Sequence, residues 1–204
     1  MEPDFQKKSK DIKKAIENGA VLLSICGGYQ LLQHYFKTLN GKVIKGIGLF
    51  DAHTLGSTTR MIGNLLIDPT LDLSFPRPPR AGPPLAEKRE SSSRFRIKSG
   101  MTREDNQLIG FENHSGKTYL GSNIQPLGKV ITGAGNNGKD GTEGAVYKNA
   151  FGCYLHGSLL PKNPHFADFL ISRALERRYG IVNLKPLDDF IEWQAHQAAV
   201  SRIG

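Results

Sequence analysis

The stretch Ser24-Ile25-Cys26-Gly27-Gly28 places a thiol between a short apolar run and two glycines. This spacing is typical of a nucleophile elbow, in which the chain turns sharply from a strand into a helix and leaves no room for bulk beside the nucleophile. The amino terminus of the following helix favours a thiolate, and the N–H of Gly27 can donate to a developing oxyanion. The pattern predicts that Cys26 is a nucleophile for acyl transfer, although a buried cysteine beside a glycine turn has the same spacing.

A cysteine nucleophile needs a base, and six histidines compete for that role. His156 ends the strand-like segment "CYLH", and the carboxyl ends of strands are where α/β active sites lie. His114, in "ENHSG", could also line a site from a turn, so both candidates stay open and we favour His156. His165 and His196 are predicted on helix surfaces. Cys153 alternates with Tyr154 in a strand and is predicted to be a buried, inert thiol.

The elements around Cys26 indicate an α/β fold. The apolar run at 20–25 is typical of a strand buried on both faces in a parallel sheet, and helices are predicted before it, at 3–18, and after it, at 28–36. Further strands are predicted at 43–54, 60–68 and 106–120, with a hairpin around Lys148 and Asn149. The last predicted elements are helices at 163–180 and 186–202.

Composition limits the classes of protein that the chain can represent. It has 204 residues, which suffices for one α/β domain, and a net charge of +8. The basic stretches do not interleave aromatic residues, so nucleic-acid binding is not predicted. With two cysteines, no signal peptide and no membrane span visible, we expect a protein of the reducing cytoplasm.

Residues 69–105 contain six prolines and a serine run, and are predicted to be a disordered insertion that interrupts this single domain.

Four blocks carry a family resemblance: "VLLSICGGYQLLQHYF", "GFENHSGKTYL", "GAGNNGKDGTEGAVYKN" and "YLHGSLLPKNP". Together they resemble class I glutamine amidotransferases of the cobyric-acid-synthase-like branch, across essentially the whole chain except 69–105. The resemblance implies a flavodoxin-like α/β sheet with helices on both faces. Relatives carry further strands and a glycine-rich loop before the position of Met1, and that loop supplies a second oxyanion donor. We therefore expect this chain to lack its amino-terminal strands.

The resemblance implies that Cys26 attacks the side-chain amide of glutamine while His156 handles the protons. Many class I relatives have Glu two residues after the histidine; here the residue is Ser158, which implies a Cys–His dyad. Arg60 matches the family arginine on a loop that holds the glutamine, where a guanidinium can grip the α-carboxylate. From the residues alone, Arg60 is as readily an ordinary surface arginine. Gly27 is assigned to the substrate site through its N–H.

The resemblance is strongest to glutaminase subunits that work with a Mur-ligase-like partner. It implies that ammonia passes to that partner, which uses ATP and Mg²⁺ to amidate the D-glutamate of the peptidoglycan stem peptide in lipid II. No cofactor is expected in this chain. Two alternatives stay open: an amidotransferase for cobyrinate-type cofactors, and a truncated, catalytically weak module that supports the ligase.

Overall fold

A computed structural model describes residues 2–73, 106–180, 184–185 and 187–203. The helices are α1 Glu2–Lys7, α2 Ser9–Glu17, α3 Gly27–Leu32, α4 Leu159–Lys162, α5 Pro164–Tyr179 and α6 Phe190–Ser201. The strands are β1 Leu22–Ile25, β2 Tyr35–Lys37, β3 Val43–Lys45, β4 Ala52–Pro69, β5 Leu108–Leu120, β6 Gly128–Thr132, β7 Thr142–Glu143, β8 Ala145–Tyr147 and β9 Ala150–Cys153. None of the helices in these ranges is both long and apolar enough to cross a membrane.

A small sheet has the strand order β1-β9-β8, with β1 parallel to β9 and β8 antiparallel to it. The predicted hairpin is confirmed: β8 and β9 are joined through Lys148, which has a positive φ of 51°, and Asn149. The predicted buried strand before Cys26 is also confirmed as β1. Its register with β9 places Leu22 beside Ala150 and Ile25 beside Cys153.

Helices cover both faces of the small sheet, as expected for the α/β class. Successive side chains of a strand point to opposite faces, so β9 and its continuation serve two apolar clusters. Phe151 and Cys153 join a cluster that includes Phe166 of α5. Ala150 and Tyr154 join the other cluster, formed largely by α2, α3 and the residues around Phe50.

A larger sheet has the order β3-β2-β4-β6-β7, and β5 pairs with β4. Its pairings are antiparallel apart from β2 with β4. The larger sheet is thus mostly antiparallel, and parallel pairing among the described strands is limited to β1–β9 and β2–β4. The short connection from β2 to β3 explains part of this, because parallel neighbours need a long crossover whereas antiparallel ones do not.

Two predicted boundaries differ from the structure. Helix α3 ends at Leu32 rather than near Phe36, because Gln33 is extended and its buried amide accepts a hydrogen bond from the Thr54 hydroxyl. At the predicted insertion, β4 continues to Pro69, and Leu73 is only 1% exposed within the cluster under α5. Packed structure thus extends into the start of 69–105, and the rest of that prediction, 74–105, lies outside the described residues.

Candidate active site

Cys26 occupies the sharp turn that the sequence predicts. It follows β1 directly, has φ 52° and ψ −111°, and its N–H donates to the carbonyl of Cys153 at 2.9 Å. A positive φ is costly for a residue with a side chain, and such strain is concentrated at functional sites. The thiol is partly exposed, whereas Cys153 is buried as predicted.

The two glycines after Cys26 do not carry the backbone strain of the turn. Neither has a positive φ, so the strained residue of the elbow is the cysteine itself. A Cβ on Gly28 would meet the Cβ of Ser24 at an ordinary 3.7 Å, and a Cβ on Gly27 would have nothing within 4 Å. A Cβ thus fits at both positions. Gly27 borders open space immediately after Cys26 in the chain.

The electrostatic surroundings of Cys26 do not by themselves produce a thiolate. Burial raises the pKa of the thiol, while the hydrogen bond from the Gly27 backbone and the charge of Arg60 lower it by less. The expected thiolate stabilisation by the turn is present but is outweighed. Attack by Cys26 consequently requires a base that removes the proton.

His156 lies at the same edge of the small sheet as Cys26. Because β1 and β9 are parallel with Ile25 beside Cys153, the chain leaves both strands in the same direction. His156 follows β9 by three residues and forms a two-way backbone bridge with Phe111 of β5. Its Nδ1 is 3.0 Å from the Phe111 carbonyl oxygen. Since a carbonyl only accepts, Nδ1 carries the proton, which leaves Nε2 with a lone pair that can accept one.

His114, the alternative base, belongs to the core. It is buried on β5, its Nδ1 donates to the Gly116 carbonyl at 2.8 Å, and its ring stacks on Tyr154 at a centroid distance of 3.6 Å. Nothing in these contacts directs it to the partly exposed thiol. The predicted surface positions of His165 and His196 are also wrong, because both are buried and pack with Trp193.

Arg60 lies in a bulge of β4 rather than on the expected loop. Gly56 pairs with Gly116 and Met61 pairs with His114, so residues 57–60 face a single residue of β5. The guanidinium of Arg60 is exposed, and its Nε donates to Oδ1 of Asn113 at 2.7 Å. Its charge lowers the pKa of Cys26, so the cation acts on the nucleophile.

Two supporting groups were not singled out from the sequence. Asn113 lies within the quoted "ENHSG" block, but only the pairing of β4 with β5 assigns it to Arg60. Glu143 is fully buried, accepts from the backbone N–H of Tyr154, and has its pKa raised to about 8, chiefly by burial. No local pattern marks a glutamate as buried, so the sequence carried no signal for it.

A carboxylate partner for His156 is not found in the described part of the chain. Ser158 stands where many class I relatives have Glu; it is exposed, has a left-handed φ of 58°, and precedes α4. The carbonyl of Phe111 is the group that orients the imidazole. This arrangement fits a dyad of Cys26 and His156.

Residues 3–164 match the CobB/CobQ-like glutamine amidotransferase domain, and the chain belongs to that family. Among curated proteins it is 34% identical over 199 residues to subunit GatD of lipid II isoglutaminyl synthase (glutamine-hydrolyzing) of Staphylococcus aureus, covering 98% of this chain and 68% of that protein. It is 35% identical to the protein of the same name from Streptococcus pneumoniae, covering 87% of this chain and 56% of that one. A probable cobyric acid synthase of Methanococcus maripaludis is 28% identical, and the match covers 93% of this chain but 33% of that protein.

Proposed function

We propose that this chain is a glutaminase subunit, which hydrolyses L-glutamine to glutamate and ammonia and supplies the ammonia to a ligase. The observation that carries the proposal is the placement of Cys26, at a strained turn after β1, on the same sheet edge as His156. The family membership and the GatD relatives support the same activity.

The reaction begins when the sulfur of Cys26 attacks the side-chain amide carbon of glutamine and its proton passes to Nε2 of His156. The N–H of Gly27 donates to the oxyanion of the tetrahedral intermediate. His156 then returns the proton to the amide nitrogen, the C–N bond breaks, and ammonia leaves a thioester on Cys26. Water, deprotonated by His156, attacks the thioester, which releases glutamate and restores the thiol.

Recognition of glutamine falls to Arg60 in this proposal. Its guanidinium is exposed, carries a charge that reaches Cys26, and offers two terminal nitrogens to a carboxylate. Open space beside Gly27 leaves room for the side-chain amide at the thiol.

The ligase in this proposal is a Mur-ligase-like subunit of the MurT type. It would use ATP and Mg²⁺ to activate the D-glutamate of the stem peptide in lipid II, with this chain contributing no cofactor. Support comes from the two GatD relatives, whose name is that of a lipid II isoglutaminyl synthase subunit. Amidation of a cobyrinate-type compound is the second candidate function. It rests on the match to a probable cobyric acid synthase, whose sequence identity to this chain is lower than that of the GatD relatives.

A labelling experiment tests the nucleophile directly. A chloroketone analogue of glutamine is expected to alkylate Cys26 and to abolish glutamate release, because Cys26 is partly exposed. Cys153 should stay unmodified, since it is fully buried and burial raises its pKa far above the usual range. Peptide mapping by mass spectrometry identifies the labelled residue, and Cys153→Ala is the matched control. Labelling at Cys153 with Cys26 untouched would reject the proposed chemistry.

A further inference from the structure

The bulge of β4 places Arg60 across from β5. Residues 57–60 lie outside the ladder between the two strands, and pairing resumes at Met61 and His114, then Ile62 and Asn113. Bulges are over-represented next to active sites because they re-aim a side chain. Here the bulge ends at Arg60 and brings its guanidinium to Asn113 on the neighbouring strand.

The side chain of Asn113 binds the Nε of the Arg60 guanidinium group. Its Oδ1 accepts from Nε at 2.7 Å, and this is the one hydrogen bond of the Arg60 side chain within the described residues. A guanidinium has five N–H donors in a rigid plane, so holding Nε fixes the direction of the two terminal nitrogens. Those nitrogens together form the fork that matches a carboxylate.

The same strand orients the base. Phe111 and Asn113 are two residues apart on β5. The Phe111 carbonyl accepts from Nδ1 of His156, while the Asn113 side chain accepts from Arg60. A three-residue segment of β5 thus contacts a proton acceptor through its main chain and a cation through a side chain.

We propose that Asn113 is a positioning residue for glutamine binding, which holds the Arg60 guanidinium so that its terminal nitrogens meet the α-carboxylate of the substrate. This inference rests on the proposed function. Exposed Arg60 would otherwise sample many rotamers, and each binding event would bear the entropy of ordering them. Asn113 removes that entropy loss before glutamine arrives.

The test measures binding rather than turnover, in the full chain carrying Cys26→Ala so that glutamine is not consumed. Calorimetry gives the Kd of L-glutamine with and without Asn113→Ala. Ordering one long side chain corresponds to a Kd increase of about 2- to 13-fold. Lys117→Ala is the matched control on the same strand and face, beyond the bulge, and should leave Kd unchanged. Circular dichroism and melting curves verify that each variant is folded.

Two further measurements separate positioning from a general structural effect. In an Arg60→Ala background, Asn113→Ala should have no additional effect on Kd. L-Glutaminamide, which lacks the α-carboxylate, should bind the two Cys26→Ala chains, with and without Asn113→Ala, equally. Three results would overturn the inference. In the first, Asn113→Ala leaves the Kd of glutamine unchanged; in the second, it raises that Kd equally in the Arg60→Ala background; in the third, it raises the Kd of L-glutaminamide as much as that of glutamine. If the Cys26→Ala chain binds no glutamine at all, the proposed function fails, and the inference fails with it.

Discussion

At the residue scale, the imidazole of His156 is oriented by a main-chain oxygen instead of a carboxylate. The Phe111 carbonyl fixes the proton on Nδ1 and so leaves the lone pair on Nε2. Because the same carbonyl also accepts from the backbone N–H of His156, side chain and backbone are held by one atom. The orientation therefore depends on the pairing of β5 with the segment after β9.

We expect His156→Ala and His114→Ala to separate catalysis from stability. Loss of a positioned acid–base group should lower glutamine turnover by roughly 10²-fold or more. His114 instead stacks on Tyr154 in the core, so His114→Ala should lower the melting temperature by several degrees, following the size scaling of stability changes. Glutamate release at a temperature where both variants are folded, together with melting curves, provides the comparison. A folded but inactive His114→Ala variant with a fully active His156→Ala variant would reverse the assignment.

At the element scale, β9 is confined between two helical layers and tolerates no added bulk at Gly152. A Cβ there would overlap the ring of Tyr29, which is itself fully buried. Gly27, at the start of α3, borders open space instead. Gly152 is therefore required because packing leaves no room for a side chain, whereas a side chain at Gly27 would extend into open space.

Alanine at each of these glycines should give opposite phenotypes. Gly152→Ala is expected to destabilise the fold by about 1–3 kcal/mol, the usual range for overpacking. Gly27→Ala should leave stability near that of the native chain but lower glutamine turnover, since its methyl group enters the space beside the thiol. Urea unfolding and glutamate release measure the two effects. A stable Gly152→Ala chain would show that Tyr29 can move aside.

Local patterns predicted the elements around Cys26 because the necessary information lies within a few residues. The apolar run of β1, the glycine turn and the hairpin at Lys148 each depend on near neighbours, and all three are confirmed. The bulge before Met61 and the pairing of Arg60 with Asn113 depend on a register between distant segments. Periodicity cannot supply such a register, so the sequence predicts a strand at 60–68 but neither the bulge nor a role for Asn113.

At the scale of the whole molecule, Glu143 links stability to pH. Burial raises its pKa to about 8 in the folded chain, and the charge of Glu112 adds to the shift. Its Oε2 has no hydrogen-bond partner among the described residues, which fits a neutral carboxyl group. The unfolded chain loses this proton near the ordinary value of 4.5. The stabilisation is therefore complete below about pH 4.5 and declines as the pH rises through about 8.

Glu143→Gln should weaken this pH dependence. The amide keeps the shape of the side chain and an oxygen that can accept from the Tyr154 backbone N–H, but it cannot ionise. We expect the difference in melting temperature between pH 5 and pH 8 to be smaller in the variant than in the native chain. Glu176→Gln, at an exposed carboxylate on α5, serves as the control. An identical pH profile in Glu143→Gln would assign the dependence to other groups.

The bulge at 57–60 also has a consequence for backbone motion. All four residues of β9 are buried and the strand has a partner on each side, so its amide hydrogens exchange with deuterated solvent only when the domain opens. Thr58 to Arg60 are exposed and lie outside the β4–β5 ladder, so their amides exchange early. The proposed base thus follows a slow-exchanging strand, while the proposed substrate-binding cation lies on a fast-exchanging segment. Bound glutamine would slow deuterium uptake in that segment and leave β9 unchanged.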